Sequence, residues 1–399
     1  MSESSRIFWY SNGVSSSAVA LPFDRDAVIS AWAGLRARLV GERPDGYSRD
    51  EWAYLLAFLS ADRLRSVFGA TFGAETDGPK GDRATVFRPR REVGVWLPNN
   101  VSLLGPLALV MLSLTGVRST LKLGSRGEDL TGPLLELARH HLPAGDLVTH
   151  LRDRVELLRA DPSDPKVAGL ARRAAVRIVF GSDSAATEVD RLEHPVDSFQ
   201  ISFRDRRSEA WIETGAASDE VLRELIKVFA VYGPAGCTSP RRVVLIGGTL
   251  ASAKELRDRL CSLWPKTVGD VAGHVASTNL MGWQWARVLG WDARLTERSG
   301  AVVAVSDSSV DGSLAEPGVE VRFLSIVPSS FEQAIASLPP NAQTLGCAFE
   351  ANSLERVTQI LARTQLARVV PIRRMHEFGA VWDGVGFWRA VFEETEVSR

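Results

Sequence analysis

Glu92-Val93-Gly94-Val95-Trp96-Leu97-Pro98-Asn99-Asn100 is the stretch on which the reading of the fold turns. It is a short apolar strand that stops at a proline, which cannot continue a sheet's hydrogen bonding. From Val101 to Val117 no residue is charged, and then Ser119-Thr120-Leu121-Lys122-Leu123-Gly124 reads as a second strand. The uncharged run approaches the length a bilayer requires. Ser102, Gly105, Pro106, Ser113, Thr115 and Gly116 interrupt it, and charge resumes at once with Arg118 and Lys122. The pattern therefore predicts a helix buried against a sheet, with no membrane span. Strand, helix and strand in this order make a βαβ unit.

The pattern repeats downstream. A helix around Leu134 to His141 is followed by a connection through Pro162, Pro165 and Lys166, then by the strand Ala175 to Phe180, ending at Gly181-Ser182. Such alternation predicts a doubly wound parallel sheet, which binds ligands at the carboxyl ends of its strands. Pro98-Asn99-Asn100 and Phe180-Gly181-Ser182 both occupy such ends. Upstream, Asp24 to Phe68 carries apolar residues at helical spacing (Val28, Ala31, Trp32, Leu35, then Trp52, Leu55, Leu56, Phe58, Leu59). Ala74 to Arg90 reads as an exposed connection. Further on, Ser198 to Glu213 reads as strand, Glu220 to Ala230 as an amphipathic helix, and Tyr232-Gly233-Pro234-Ala235-Gly236-Cys237 as a tight loop before the strand Arg242 to Ile246. Strands at Val302 to Val305, Val319 to Ile326 and Val369 to Pro371 alternate with helices at Glu332 to Leu338 and Leu354 to Thr364, without internal repeats.

A chain of 399 residues is long enough for two compact units. Its 47 basic and 48 acidic residues leave a formal charge of -1, so no net field favours nucleic acid or an anionic membrane, and a small-molecule site is expected. The three cysteines, Cys237, Cys261 and Cys347, are odd in number and far apart, which fits neither a disulfide framework nor zinc-ligand spacing. They read as reduced thiols in a cytoplasm. Met1 to Asn12 has no basic start followed by an apolar stretch, so no signal peptide is expected. The six histidines (His140, His141, His150, His194, His274, His376) fall at no spacing that announces a metal site or a triad.

Cys237 is the sharpest chemical candidate. In a loop constrained by Pro234 and Gly236, backbone N–H groups can favour a thiolate competent to accept an acyl group; a buried core thiol is the other reading. Cys261, among Leu256, Leu260 and Leu263, and Cys347, beside Leu345 and Ala348, read as core. Asn99 and Asn100 offer side-chain amides to an oxyanion or cap the next helix. Gly181-Ser182 either brings backbone amides to a pyrophosphate or is an ordinary turn. Lys122 with Arg126 either holds a ribose or phosphate or is merely solvated. With neither a phosphate-loop Gly-x-x-x-x-Gly-Lys nor a G-x-G-x-x-G after a strand, nucleotide binding requires another scheme.

Taken in order, five segments resemble the LuxC-type acyl-CoA reductases associated with bacterial luminescence, within the aldehyde dehydrogenase superfamily. They are Leu97-Pro98-Asn99-Asn100-Val101, Lys122-Leu123-Gly124-Ser125, Phe180-Gly181-Ser182, Gly236-Cys237-Thr238-Ser239-Pro240, and Arg368-Val369-Val370-Pro371 on to Trp382-Asp383-Gly384. The resemblance spans roughly Glu92 to Gly384. It implies an α/β, aldehyde dehydrogenase-like fold: an N-terminal helical region with a Rossmann-like NADP-binding domain over 1–196, an α/β catalytic domain over 197–385, and a tail over 386–399.

By the same resemblance Cys237 is the nucleophile, Asn100 the oxyanion-hole amide, Gly181 and Ser182 the pyrophosphate contacts, and Lys122 the adenosine-ribose contact. Where NAD-preferring members place a Glu three residues after that Lys, this chain has Ser125 followed by Arg126. A missing carboxylate and an added cation suit a 2′-phosphate, hence NADPH. The stretch matching the superfamily's water-activating Glu, Asp197 to Phe203, has no Glu. The implied reaction is reduction of an acyl thioester, carried by coenzyme A or an acyl carrier protein, to an aldehyde. An aldehyde-oxidising dehydrogenase and a non-catalytic member acting as a partner subunit remain alternatives. The resemblance also implies a homo-oligomer, with an oligomerisation hairpin reduced or missing in so short a chain, and leaves room for an acyl-activating partner protein. Ala235 and Gly236 depart from the polar residues usual before the family's cysteine.

Overall fold

The computed structural model describes residues 24–72, 83–204, 206–306, 321–350, 353–386 and 389–398. The chain divides into two compact units, Met1–Arg204 with Phe378–Arg399, and Asp205–Glu377.

The first unit opens with three helices, α1 (Arg25–Leu39), α2 (Arg49–Phe58) and α3 (Ala61–Phe72). The Asp24 side chain caps α1 by accepting from Ala27 N, and Ser48 with Glu51 forms a capping box on α2. Val28, Ile29, Trp32, Leu35, Trp52, Leu55 and Phe58 are buried, as their spacing predicts. The next segment differs from its sequence reading. Of the expected connection 74–90, residues 74–82 lie outside the described residues, and Arg83–Pro89 is a strand, β1. It pairs antiparallel with Phe392–Ser398, so the partner that makes it a strand lies at the far end of the chain.

The doubly wound sheet follows: β2 (Glu92–Trp96), α4 (Leu104–Ser113), β3 (Arg118–Lys122), α5 (Thr131–His141), α6 (Asp146–Asp153), β4 (Val155–Leu158), α7 (Pro165–Arg173), β5 (Val176–Phe180), α8 (Asp183–Asp190) and β6 (Phe199–Phe203). Its five strands run parallel in the order β4-β3-β2-β5-β6. The chain moves outward from β2 to β4, then crosses to the other side of β2, so the topological switch lies between β2 and β5. All ten residues of α4 are buried, which accounts for a run without charge. Its Ser113 hydroxyl takes a hydrogen bond from Trp32 Nε1 at 2.8 Å. A Cβ on Gly105 would lie 2.0 Å from Thr131 Oγ1, so glycine is what lets α4 meet the start of α5. The expected connection around Pro162 and Pro165 contains α6, β4 and the first turn of α7, which Pro165 opens.

The second unit holds β7 (Arg207–Glu213), α9 (Asp219–Tyr232), β8 (Pro240–Ile246), α10 (Leu250–Thr267), α11 (Gly273–Val288), β9 (Asp292–Leu295), β10 (Val302–Val305), β11 (Phe323–Ser329), α12 (Phe331–Ala336), β12 (Ala342–Ala348), α13 (Ser353–Arg363) and β13 (Arg368–Pro371). The seven strands are ordered β13-β12-β7-β8-β11-β10-β9, and only β9 is antiparallel to its neighbour. Leu222, Leu225 and Phe229 of α9 and Leu256, Leu260 and Trp264 of α10 pack on one side of the sheet with Val243, Leu245 and Ile326. Phe331, Ile335 and Ile360 pack with Trp211, Val244 and Leu345. Ser198 to Glu213, read as one strand, is two: β6 ends the first sheet and β7 belongs to the second. The strand read from Val319 starts at Phe323, with 319 and 320 outside the described residues.

The chain leaves the first unit after Arg204 and rejoins it at Phe378. The segment beyond 386, expected as a tail, carries the strand paired to β1, with Val391 and Phe392 buried.

Candidate active site

On the first unit, the loops after β2 and β3 close on each other. Asn99 Oδ1 accepts from Arg126 N at 3.0 Å, and Leu97 N donates to Lys122 O at 2.9 Å. A Cβ on Gly124 would lie 2.6 Å from Pro98 O, and one on Gly127 2.9 Å from Asn99 O. Bare backbone at both glycines is what permits the approach. Of the two asparagines, Asn99 holds the loops together, and Asn100, the expected oxyanion donor, stands next to it, exposed. Ser125 and Arg126 are exposed as well. Lys122 ends β3 with its side chain largely buried; desolvation lowers its pKa, and the Asp161 carboxylate after β4 opposes that shift.

Across the switch, β5 ends at Phe180, and the next residue, Gly181, donates its N–H to Phe203 O at 3.0 Å. Ser182 caps α8, its hydroxyl accepting from Ala185 N at 3.1 Å and lying 2.7 Å from Ser184 Oγ. Asn100, Lys122, Ser125, Arg126, Gly181 and Ser182 thus all lie at carboxyl ends of the parallel strands, on β2, β3 and β5. A side-chain-free strand end leading into a helix N-terminus, with a desolvated ammonium two strands away, fits a phosphate-bearing ligand such as a dinucleotide. Asp183 in the first turn of α8 puts negative charge where a pyrophosphate would lie; Arg204, 3.6 Å from it, offsets that charge.

Cys237 belongs to the second unit and sits just ahead of β8, at the amino edge of the seven-stranded sheet. Gly233, at φ +54°, ends α9 in a backbone conformation that suits glycine, and Gly233–Ala235 forms a short 3-10 turn. Gly236 to Ser239 then turns, closed by Ser239 N donating to Gly236 O at 3.0 Å. Cys237 is half-buried, and the neighbours Gly236, Thr238 and Ser239 are buried. The turn is held from several sides. Ser208 Oγ on β7 donates to Cys237 O at 2.7 Å and accepts from Thr344 N of β12 at 3.3 Å. Thr238 Oγ1 lies 2.7 Å from His376 Nδ1, and His376 Nε2 lies 2.6 Å from Val228 O in the last turn of α9. Burial lowers the His376 pKa to about 4, with the Arg368 charge adding to the effect and the Val228 bond opposing it, so the ring is neutral at physiological pH. Ser208 and His376 carry no sequence signal: both reach the turn from other elements.

The other thiols differ. Cys261, on α10, packs against the core, and burial pushes its pKa up to about 11; burial raises Cys347 further still. Glu209 on β7 is a buried carboxylate already engaged, by Arg242 at 2.6 Å and by Trp211 Nε1 at 2.9 Å. His141 pairs with Glu42 at 2.9 Å. Among the described residues no group of three or more His, Cys, Asp or Glu side chains could hold a metal ion, and no helix is long and apolar enough to cross a membrane.

The chain has an aldehyde dehydrogenase-type fold, which it shares with solved structures. An oxidoreductase from Marinobacter aquaeolei is similar at TM-score 0.64 and 13% identity, covering 94% of this chain and 84% of that one. A variant of the betaine aldehyde dehydrogenase of Staphylococcus aureus, without ligand, is similar at TM-score 0.63 and 12% identity, over 94% and 82% of the two chains. Another variant of that enzyme, in complex with NAD+, is similar at TM-score 0.60 and 11% identity, over 94% and 84%. No curated protein matches the chain in sequence. The chain belongs to the LuxC acyl-CoA reductase family, whose model matches residues 46–388. Family and fold together make it an oxidoreductase of acyl or aldehyde groups.

Proposed function

We propose that the protein reduces an acyl thioester to an aldehyde with NADPH, through an acyl-enzyme on Cys237. One observation carries the reading: of the three cysteines, only Cys237 lies in a turn tied by polar side chains from other elements, whereas Cys261 and Cys347 sit among apolar groups that keep them protonated. The first unit then binds the cofactor and the second supplies the nucleophile.

Cys237 sulfur attacks the thioester carbonyl carbon. The carbonyl oxygen takes the negative charge, for which the Cys237 backbone N–H is a donor. Collapse expels the carrier thiolate, coenzyme A or an acyl carrier protein, and leaves the acyl group on sulfur. When bound, the reduced nicotinamide supplies a hydride to the acyl carbon. Collapse of the resulting thiohemiacetal alkoxide breaks the carbon–sulfur bond formed on acylation, releasing aldehyde and returning the Cys237 thiolate. The stretch Asp197 to Phe203, which the resemblance matches to the superfamily's water-activating Glu, has no Glu, so the acyl-enzyme persists for reduction. Lys122 contacts the adenosine ribose, Gly181 and Ser182 the pyrophosphate, and Ser125 with Arg126 a 2′-phosphate. We place the protein in the cytoplasm as a homo-oligomer, served by an acyl-activating partner.

Intact-protein mass spectrometry of wild type and Cys237→Ala tests this, with a panel of acyl-CoA thioesters and a chase by NADPH or NADH. The expected result is an acyl adduct on wild type alone, discharged as aldehyde and faster with NADPH. Oxidation of an added aldehyde to acid by NAD(P)+ in the absence of coenzyme A would favour an aldehyde-oxidising enzyme, and absence of any adduct from acyl-CoA would favour an acyl carrier protein as donor or a non-catalytic member.

A further inference from the structure

His376 lies 138 residues beyond Thr238 in sequence yet within hydrogen-bond distance of its hydroxyl. Its roles follow from its partners. Val228 O is a carbonyl and only accepts, so His376 Nε2 carries the hydrogen and donates at 2.6 Å. Nδ1 is then an unprotonated acceptor, and the Thr238 hydroxyl donates to it at 2.7 Å. The ring is fixed on further sides. The Tyr232 ring stands edge-on at 5.2 Å and 75°. The main chain leading into the histidine is pinned by the Arg368 guanidinium, which donates to Met375 O at 3.3 Å and to Arg374 O at 3.2 Å. A continuous set of bonds therefore runs from the start of β13 and the end of α9, through His376, to the residue that follows Cys237. Thr238 is buried and cannot exchange this partner for water without moving the turn.

We propose that His376 is a positioning residue for the Cys237 thiol: through the Thr238 hydroxyl it fixes the Gly236–Ser239 turn in the geometry that presents Cys237. The inference rests on the reading of Cys237 as nucleophile. His376 acts through Thr238 and not on the acyl group: its neutral ring accepts the Thr238 hydroxyl hydrogen bond while donating its own, so the turn is held by an uncharged side chain.

The test is a double-mutant cycle of Thr238→Val and His376→Asn in the full-length chain, with Thr238→Ser as the variant that keeps the hydroxyl. Two rates are followed by mass spectrometry at Cys237: alkylation by iodoacetamide, and single-turnover acylation by an acyl-CoA over a range of concentrations. Each single variant is expected to change the alkylation rate about tenfold and to lower the saturating acylation rate with little change in half-saturation. The double variant should be no worse than either single one, because both remove the same bond, and Thr238→Ser should match wild type. Effects that multiply in the double variant would overturn the proposal, as would wild-type rates in Thr238→Val, which conserves shape and folds independently of any damage in His376→Asn. A wild type alkylated but not acylated by any donor would instead defeat the nucleophile reading, leaving the alkylation cycle to decide His376.

Discussion

Gly236 has no room for a side chain. A Cβ there would lie 2.8 Å from Ser239 Oγ and 2.9 Å from Tyr232 Cβ. The hydroxyl can swing aside, but the Tyr232 Cβ is fixed to the last turn of α9, so the loop itself would have to move. This gives a steric reason for the glycine at this position. Because reactivity falls steeply when an attacking atom is displaced by about 1 Å, Gly236→Ala is expected to lower single-turnover acylation of Cys237 on the order of a hundredfold, with the half-saturating thioester concentration little changed. A rate within about twofold of wild type would show that the turn does not set the sulfur's position. At this scale the sequence exposes Cys237 through its glycines and proline, since those are local constraints. Ser208 and His376 stay hidden because a hydrogen bond across 29 or 138 residues leaves no trace in spacing.

At the scale of elements, the loops after β2 and β3 behave as one piece. Gly124 faces Pro98 O and Asn99 Oδ1, and a methyl group there would come within 2.6 and 2.7 Å of them. Gly124→Ala therefore has to part the loops and break the Asn99–Arg126 bond, displacing Ser125 and Arg126. Affinity for NADPH, followed by fluorescence titration, is expected to fall about tenfold, while iodoacetamide alkylation of Cys237, in the other unit, keeps its wild-type rate. Unchanged NADPH affinity would remove these loops from the cofactor site. The unit β2-α4-β3 was legible because its apolar strands flank a run that is buried all round, a contrast that survives in one dimension. The α6-β4 pair was not, since β4 spans only four residues, Val155–Leu158, with Glu156 among them. Nor could periodicity separate β6 from β7, because strands of two different sheets share the same repeat.

For the whole molecule, the decisive feature is that the first unit is discontinuous in sequence: the chain departs after Arg204 and returns at Phe378. Its last strand, Phe392–Ser398, looks like a tail because Glu393, Glu394 and Glu396 dominate it, yet charge is also how a sheet edge resists joining another chain. What marks it as structure is tertiary. Phe392 lies in register with Pro89, Phe87 on β1 is buried as well, and Arg90 N donates to Val391 O at 3.0 Å. The Glu393 and Glu394 ion pairs with Arg88 and Arg389 are largely exposed and add little. Burial of Phe392 should therefore carry most of the attachment. Phe392→Ala is expected to destabilise the protein by about 3 kcal/mol in urea unfolding, as removal of a buried aromatic usually does, whereas Thr395→Ala, on the exposed side of the same strand, should stay within about 0.5 kcal/mol of wild type. A cost below about 1 kcal/mol for Phe392→Ala would mean that the returning strand merely lies along β1, and that the first unit is complete without it.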